Sequence, residues 1–336
     1  MSEIRQKREQ RFGFSAQPTF GTAIADDAAF IEFAPNEPFN IDRGLTVHEV
    51  GAAYGTKYPT TAETVHTATG NMPTFTVSKP FSLYSDDHMC YSLFHKVVEG
   101  GTTPYGKTFT WFTTHPDFSA NEGHFLTFVK RLPVASTSHK ADSCICKRLK
   151  FSDERNGMLT LESEWVGGPS PVVNANPSGT WTMADPEGSE GYLYFNDITS
   201  VTMDFNTSPV DILLHSYEVE FLSGNIVPVG QSATGFSTFG IADLGGTFSM
   251  TVIRDDHTET ALANQTTGSS VEAYIAYGGT PHLSLTWTGK IETIEDNDTD
   301  GLLSTTYSGK VLATSSVAEA ATIVINNALD RAWPAA

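Results

Sequence analysis

The chain has 336 residues and a net charge of −19, with 39% apolar and 18% charged residues, 28 glycines and 17 prolines. Its length suits two ordinary domains, and plentiful Phe, Tyr, Thr, Val and Ile without Ala/Leu/Glu/Lys runs exclude a helical bundle in favour of strands joined by turns. The charge excludes a conventional nucleic-acid binder, because affinity for phosphates comes from cations that displace counterions; residues 1–168 carry 16 Lys and Arg against 19 Asp and Glu, residues 169–336 only 4 against 20.

Residues 1–19 read as an N-terminal arm, basic at Arg5, Lys7, Arg8 and Arg11 and without the apolar core of a signal peptide. No apolar run approaches the ~18 residues that span a membrane. Three cysteines, Cys90, Cys144 and Cys146, are too few for a disulfide framework. The expectation is a chain made and kept in the cytoplasm.

A first domain is expected over 20–166. Within it, Glu49–Asn71 is long, polar and weakly periodic, and structureless loops of that length are usually functional or reach outside their domain. "LYSDDHMC" (Leu83–Cys90) sets two carboxylates, an imidazole and a thiol together. Consecutive residues at a helix start point in different directions, which disfavours a metal site at Asp86, Asp87 and His88. Cys90, Leu93, Phe94, Val97 and Val98 form a helical apolar stripe, with Asp86 and Asp87 as caps at its positive end and Gly100 as its stop. "HKADSCIC" offers His139, Asp142, Cys144 and Cys146, but no second Cys pair completes a tetrahedral site. "CICKRLKF" and "MLTLESEW" alternate as strands across a hairpin at Asp153–Gly157, with Glu162 and Glu164 facing away from Leu159, Leu161 and Trp165.

Residues 167–191, rich in Gly, Pro, Ser and Asn, read as a linker, and 192–336 as a second domain. "HSYEVEF" alternates, with Glu218 and Glu220 opposite Tyr217, Val219 and Phe221. Ser223–Asp243 is a second long polar segment, and Asp255-Asp256-His257 repeats the earlier motif at an offset of 169, half the chain. Asp255 and Asp256 are expected to cap a second, more polar helix. Asp296, Asp298, Asp300 and Gly301 match the opening of a calcium loop, but its twelfth position is Tyr307 rather than Glu, which favours an acidic hairpin turn. Neither a nucleophile elbow nor a phosphate-binding loop is present, and nothing compels an enzyme or a cofactor.

"QPTFGTAIADDAAFIEF", with Phe20-Gly21-Thr22-Ala23, and "GQSATGFSTFGIADLGGTFSMTV" resemble stretches of phage major tail tube proteins of long non-contractile tails. The resemblance implies a mainly β chain of two tandem β-sandwich or barrel-like tube domains, each with one short helix and a long extended loop. It implies a structural virion protein, made in the host cytoplasm, whose rings stack into a conduit for the genome. Three subunits would make a pseudo-hexameric ring, with tape-measure and terminator or tip proteins as partners, DNA only as transiting cargo, and no membrane. Glu162, Glu164, Glu218 and Glu220 would face the lumen or, equally, the exterior; Arg5, Lys7, Arg8, Arg11, Tyr54, Tyr58, Val227 and Phe236 would join successive rings. The alternative is a non-enzymatic tandem β-sandwich that binds carbohydrate or a cell surface through Trp165, Trp181 and Trp287, although such tryptophans are more often core.

Overall fold

The computed structural model describes residues 10–22, 24, 29–39, 41, 46–49, 64–67, 72–102, 104–111, 116, 118, 123–131, 139–168, 172–173, 182–184, 191–205, 209–224, 226–229, 238–241, 244–255, 266–278, 282–313, 320–329 and 333. Strands β1 (Arg11–Gln17), β2 (Ala29–Phe33), β3 (Thr46–Glu49), β4 (Thr64–Thr67) and β5 (Thr74–Pro80) precede helix α1 (Asp87–Phe94). There follow β6 (Val97–Gly100), β7 (Tyr105–Thr110), β8 (Phe125–Arg131), β9 (His139–Glu154), β10 (Thr160–Val166), β11 (Val172–Val173) and β12 (Thr182–Ala184). A 3-10 turn, Phe195–Asp197, leads into β13 (Ile198–Asp204), β14 (Pro209–Asp211), β15 (Leu213–Ser223), β16 (Ile226–Val229) and β17 (Thr238–Ile241). The last strands are β18 (Leu244–Ile253), β19 (Ser270–Tyr277), β20 (Leu283–Thr299), β21 (Leu302–Val311) and β22 (Ala321–Asn327). The mainly β expectation holds, and the pairing is almost wholly antiparallel.

Two long strands organise the sheet. The C-terminal part of β9 lies between β10 and β15, while its N-terminal part lies between β8 and β11. A bulge that skips Lys147 marks the change; such an extra residue bends a strand and increases its twist. The N-terminal part of β20 lies between β19 and β22, its C-terminal part pairs with β21, and the bulge skips Glu292. Strands β5, β10, β9, β15, β18, β21 and β20 thus run side by side in that order. Beyond Ile291 no strand pairs with the outer side of β20 among the described residues.

The halves are stitched together by β9–β15 and by β7–β22. One hydrophobic cluster runs through both, from Phe14, Phe94 and Trp165 to Met250, Trp287 and Ile325. Inside the segment read as a linker, β11 pairs with β9 and β12 runs parallel to β2.

The helix differs from expectation. It ends at Phe94, where His95 turns left-handed (φ 54°) and its N–H bonds back to Tyr91. Val97 and Val98 instead form β6 on β7, as suits β-branched side chains. All eight residues of α1 are buried, so it has no solvent face for a stripe to oppose. Gly100, expected as the helix stop, instead ends β6, and Gly101 (φ 93°) makes the β6–β7 turn. The long polar segments are not wholly irregular either: β3–β4 and β16–β17 form separate two-stranded ribbons, one before β5 and one before β18.

Candidate functional site

Residues directly opposite in antiparallel strands share a face. Ser78, Glu162, Lys150, Glu220, Thr247 and Lys310 therefore stand in one row across six neighbouring strands, from β5 to β21. Thr76, Glu164 and Arg148 form the next row on one side, and Thr160, Ser152, Glu218 and Ser249 the next on the other. All four glutamates singled out in the sequence thus share one polar face, although they come from strands of different halves.

They do not stand there as bare anions. Lys147 reaches Glu164 at 2.8 Å and Lys150 reaches Glu218 at 2.9 Å, while Arg148 contacts Glu162, Glu220 (3.4 Å) and Glu164 (3.7 Å). Partial burial acts to lower the Arg148 pKa, but Glu162, Glu220 and Glu164 outweigh it and raise it. These side chains are partly exposed, so each pair is worth at most about 1 kcal/mol. Their main effect is on the field: four carboxylates against three cations leave an excess of one negative charge and no cation in the group without a carboxylate.

The "DDH" corner is a buried charge cluster. Asp86 holds the N-cap position but makes no side-chain cap bond, which corrects its expected role. Its carboxylate instead binds Lys79 at 2.6 Å, the Ser82 N–H at 2.8 Å and the Ser85 hydroxyl at 3.2 Å. Burial raises its pKa, and Lys79 only partly offsets that. Asp87 accepts the His88 N–H (2.9 Å) and pairs with Lys107 at 2.8 Å. His88 Nδ1 lies 2.9 Å from His124 Nε2, and both rings pack against Trp333. Asp255 lies two residues beyond the end of β18, whereas Asp86 lies six beyond β5, so the two motifs occupy different strand positions. Asp256 lies outside the described residues.

Among the described residues no group of three His, Cys, Asp or Glu could hold a metal. Cys90, Cys144 and Cys146 are buried, and burial pushes each thiol well up. At the acidic turn, Asp298 caps the Gly301 N–H (2.9 Å) and Asp296 binds Arg254 (2.5 Å). Trp165 and Trp287 are fully buried core, so neither can stack on a sugar; Trp181 lies outside the described residues. Arg5, Lys7, Arg8, Tyr54, Tyr58 and Phe236 also lie outside them. Arg11 pairs with Glu32 through Nε at 2.7 Å. Val227 is 46% and Val229 45% exposed on β16, while Ile226 and Phe239 of the same ribbon are buried against Phe118 and Phe125.

A cluster at the β9–β15 seam escaped the sequence reading. The Tyr277 hydroxyl donates to Asp153 (2.9 Å) and lies 2.7 Å from the Tyr217 hydroxyl. Burial pushes the Asp153 pKa up to about 6, against the lowering effect of Tyr277 and the Glu154 N–H. The alternation placed Tyr217 inward, but its partners come from strands 60 and more residues away. Between the ordinary value of 3.8 and about 6, the folded chain holds a proton the unfolded chain has released, so this group's contribution falls as pH rises. Urea midpoints at pH 4, 5, 6 and 7 are expected to show that fall in the wild type and not in Asp153→Asn; parallel profiles would refute it.

No family model matches the chain, and no curated protein matches it.

Proposed function

We propose that the chain is a structural protein of a phage tail, a duplicated tube fold whose copies close into rings that stack into a conduit for DNA. The observation that carries this reading is the strand order. In the first half the strands run β1, β8, β9, β10, β5, and in the second β13, β19, β20, β21, β18, each strand paired with the next. Details agree with it. Both long strands are bulged, and both hairpin turns place a non-glycine at positive φ (Asn156, Asp300) before a glycine (Gly157, Gly301). The Phe81 N–H bonds to the Leu159 carbonyl at 2.8 Å as the Arg254 N–H bonds to that of Leu303 at 2.9 Å. Each half also carries one ribbon before its β5 or β18.

Of the two pairings that join the halves, β9–β15 is the seam with an open counterpart: among the described residues the outer side of β20 is open where β9 accepts β15. A neighbouring copy that fills it repeats the seam, and three copies with two units each close a pseudo-hexameric ring with no free edge. The polar face then lines the lumen. Its cations are already matched by carboxylates, so a passing polyanion finds no free cation with which to displace counterions. The ribbons would reach adjacent rings, with Val227 as an apolar contact.

The carbohydrate-binding alternative loses Trp165 and Trp287 to the core. Negative-stain microscopy of the purified protein tests the proposal. Rings or long hollow rods are expected, and a monodisperse monomer at all concentrations would overturn it.

A further inference from the structure

The corner of the β9–β10 hairpin is covered by the segment that precedes β13. The Leu159 N–H donates to the Leu193 carbonyl (2.9 Å), the Phe195 N–H donates to the Gly157 carbonyl (3.2 Å), and Met158 bridges to Tyr194. Leu159 is fully buried as a result, and Leu193 is 5% exposed. The corner of the β20–β21 hairpin is tighter, its ladder reaching Thr299 and Leu302, but like the first it places a non-glycine at positive φ (Asp300, as Asn156) before a glycine, here followed by Leu302 and Leu303. Here, however, Leu302 is 45% and Leu303 56% exposed; they pair with Thr299 and Asp298 of β20 and the Leu303 carbonyl accepts the Arg254 N–H, but among the described residues no segment covers them as residues 193–195 cover the first corner. The two adjacent leucines are thus exposed where their counterparts in the first hairpin are covered by chain.

We propose that the basic segment before β1, carrying Ile4, Arg5, Lys7 and Arg8, lies along Gly301–Leu303 of a second copy, as residues 192–195 lie along Gly157–Leu159. The inference rests on the reading of a duplicated fold. In that reading β1 matches β13, so the segment before β1 matches the one before β13, which covers the corner of the preceding unit. For the first unit of a chain, the preceding unit belongs to another copy. Charge supports the same occupant: Asp298 stands opposite Leu303, Asp300 lies in the turn with His215 Nε2 at 3.5 Å, and Glu295 and Asp296 follow along β20, with Arg254 paired to Asp296. A segment bearing three cations and Ile4 complements that surface in charge and in its apolar centre. The arm then acts as a clamp between neighbours within one ring, in place of the contact between rings expected from the sequence.

Full-length chains with Leu303→Cys are mixed with full-length chains carrying Ile4→Cys, Gln6→Cys or Arg8→Cys, assembled and oxidised. The native thiols are buried and give little background. A disulfide-linked dimer is expected from at least one mixture and from neither partner alone. Adding Arg5→Glu and Lys7→Glu to the arm is expected to lower its yield about tenfold, as the loss of two surface ion pairs implies. Rings on the grid with no mixed dimer from any pairing overturn the clamp and leave the tube reading standing. So does a link that forms only within one chain when both cysteines are placed on it. Failure of the wild type to form rings removes the reading and the clamp together.

Discussion

Lys107→Met is expected to cost about 3–5 kcal/mol of folding stability, the usual penalty for stranding the partner of a buried ion pair. The Lys107 and Asp87 side chains are both 0% exposed and 2.8 Å apart. The same ammonium donates to the Asn327 carbonyl oxygen at 2.8 Å and lies 5.7 Å from the centre of the Trp333 ring. Without it, the Asp87 carboxylate, deep in the core, loses its ammonium partner and keeps the His88 N–H. Lys107 sits on β7, the strand that joins β22 of the other half, and Asn327 at the end of β22 donates to the Leu83 carbonyl at 2.6 Å. One substitution therefore loosens helix, seam and C-terminal tryptophan together. Urea unfolding measures the loss. Asp87→Leu combined with Lys107→Met should recover most of it, because replacing both members of a buried pair by apolar groups is often neutral. A double variant as unstable as the single one would show that the charges are not what the site needs. The size of the non-additive part measures the pair itself.

Periodicity made part of this legible. On a strand with one buried face, alternation directly reports which side chains share a side, so Glu162 and Glu164 are legible as one pair and Glu218 and Glu220 as another, while their shared face comes from the register through β9. The same rule carried a signal that was missed. In "YGKTFTWF" Lys107 keeps step with Phe109 and Trp111, and in "TFTVSKPF" Lys79 keeps step with Phe75 and Val77, so both lysines point inward. Two inward lysines beside "DDH" imply buried partners for the aspartates rather than helix caps. Likewise Arg148 and Lys150 alternate with Leu149 and Phe151, which puts them on the glutamate face.

Other features had no local signal. A period of two says nothing about which strand is the neighbour, so the β9–β15 and β7–β22 seams could not be read from either half alone. The ungapped match of the two "DDH" motifs misled for a related reason. Strand register sets Pro80 against Thr160 and Ile253 against Ser304; in the proposed duplication Pro80 and Ile253 would correspond at an offset of 173 rather than 169, which leaves the two motifs at different positions. His95 ends the helix through a left-handed turn that glycine normally supplies, and so Val97 and Val98 were carried into the wrong element.

Val227→Asp combined with Val229→Asp is expected to abolish tubes while leaving the fold and the rings intact. The two valines stand on a ribbon whose root is fixed: Ile226 and Phe239 are buried, and the Phe239 ring lies 5.3 Å from that of Phe20. The root packs against Phe118, Phe125, Ile145 and Val166 of the first half, while the valines stay exposed. Both are about half exposed, and substitutions at such positions usually change stability by no more than about 0.5 kcal/mol. Stacking is different. Each valine can contribute about 1 kcal/mol when the rest of its surface is covered, whereas burying an unpaired carboxylate costs several times that. A ring of three copies repeats the contact three times, so the penalty per ring multiplies while the penalty per chain stays small. Urea midpoints should match the wild type, and sedimentation or microscopy should show rings in place of rods. Normal rods from the double variant would place the contact between rings elsewhere, and a large drop in the midpoint would mean that the ribbon serves the fold rather than the stack.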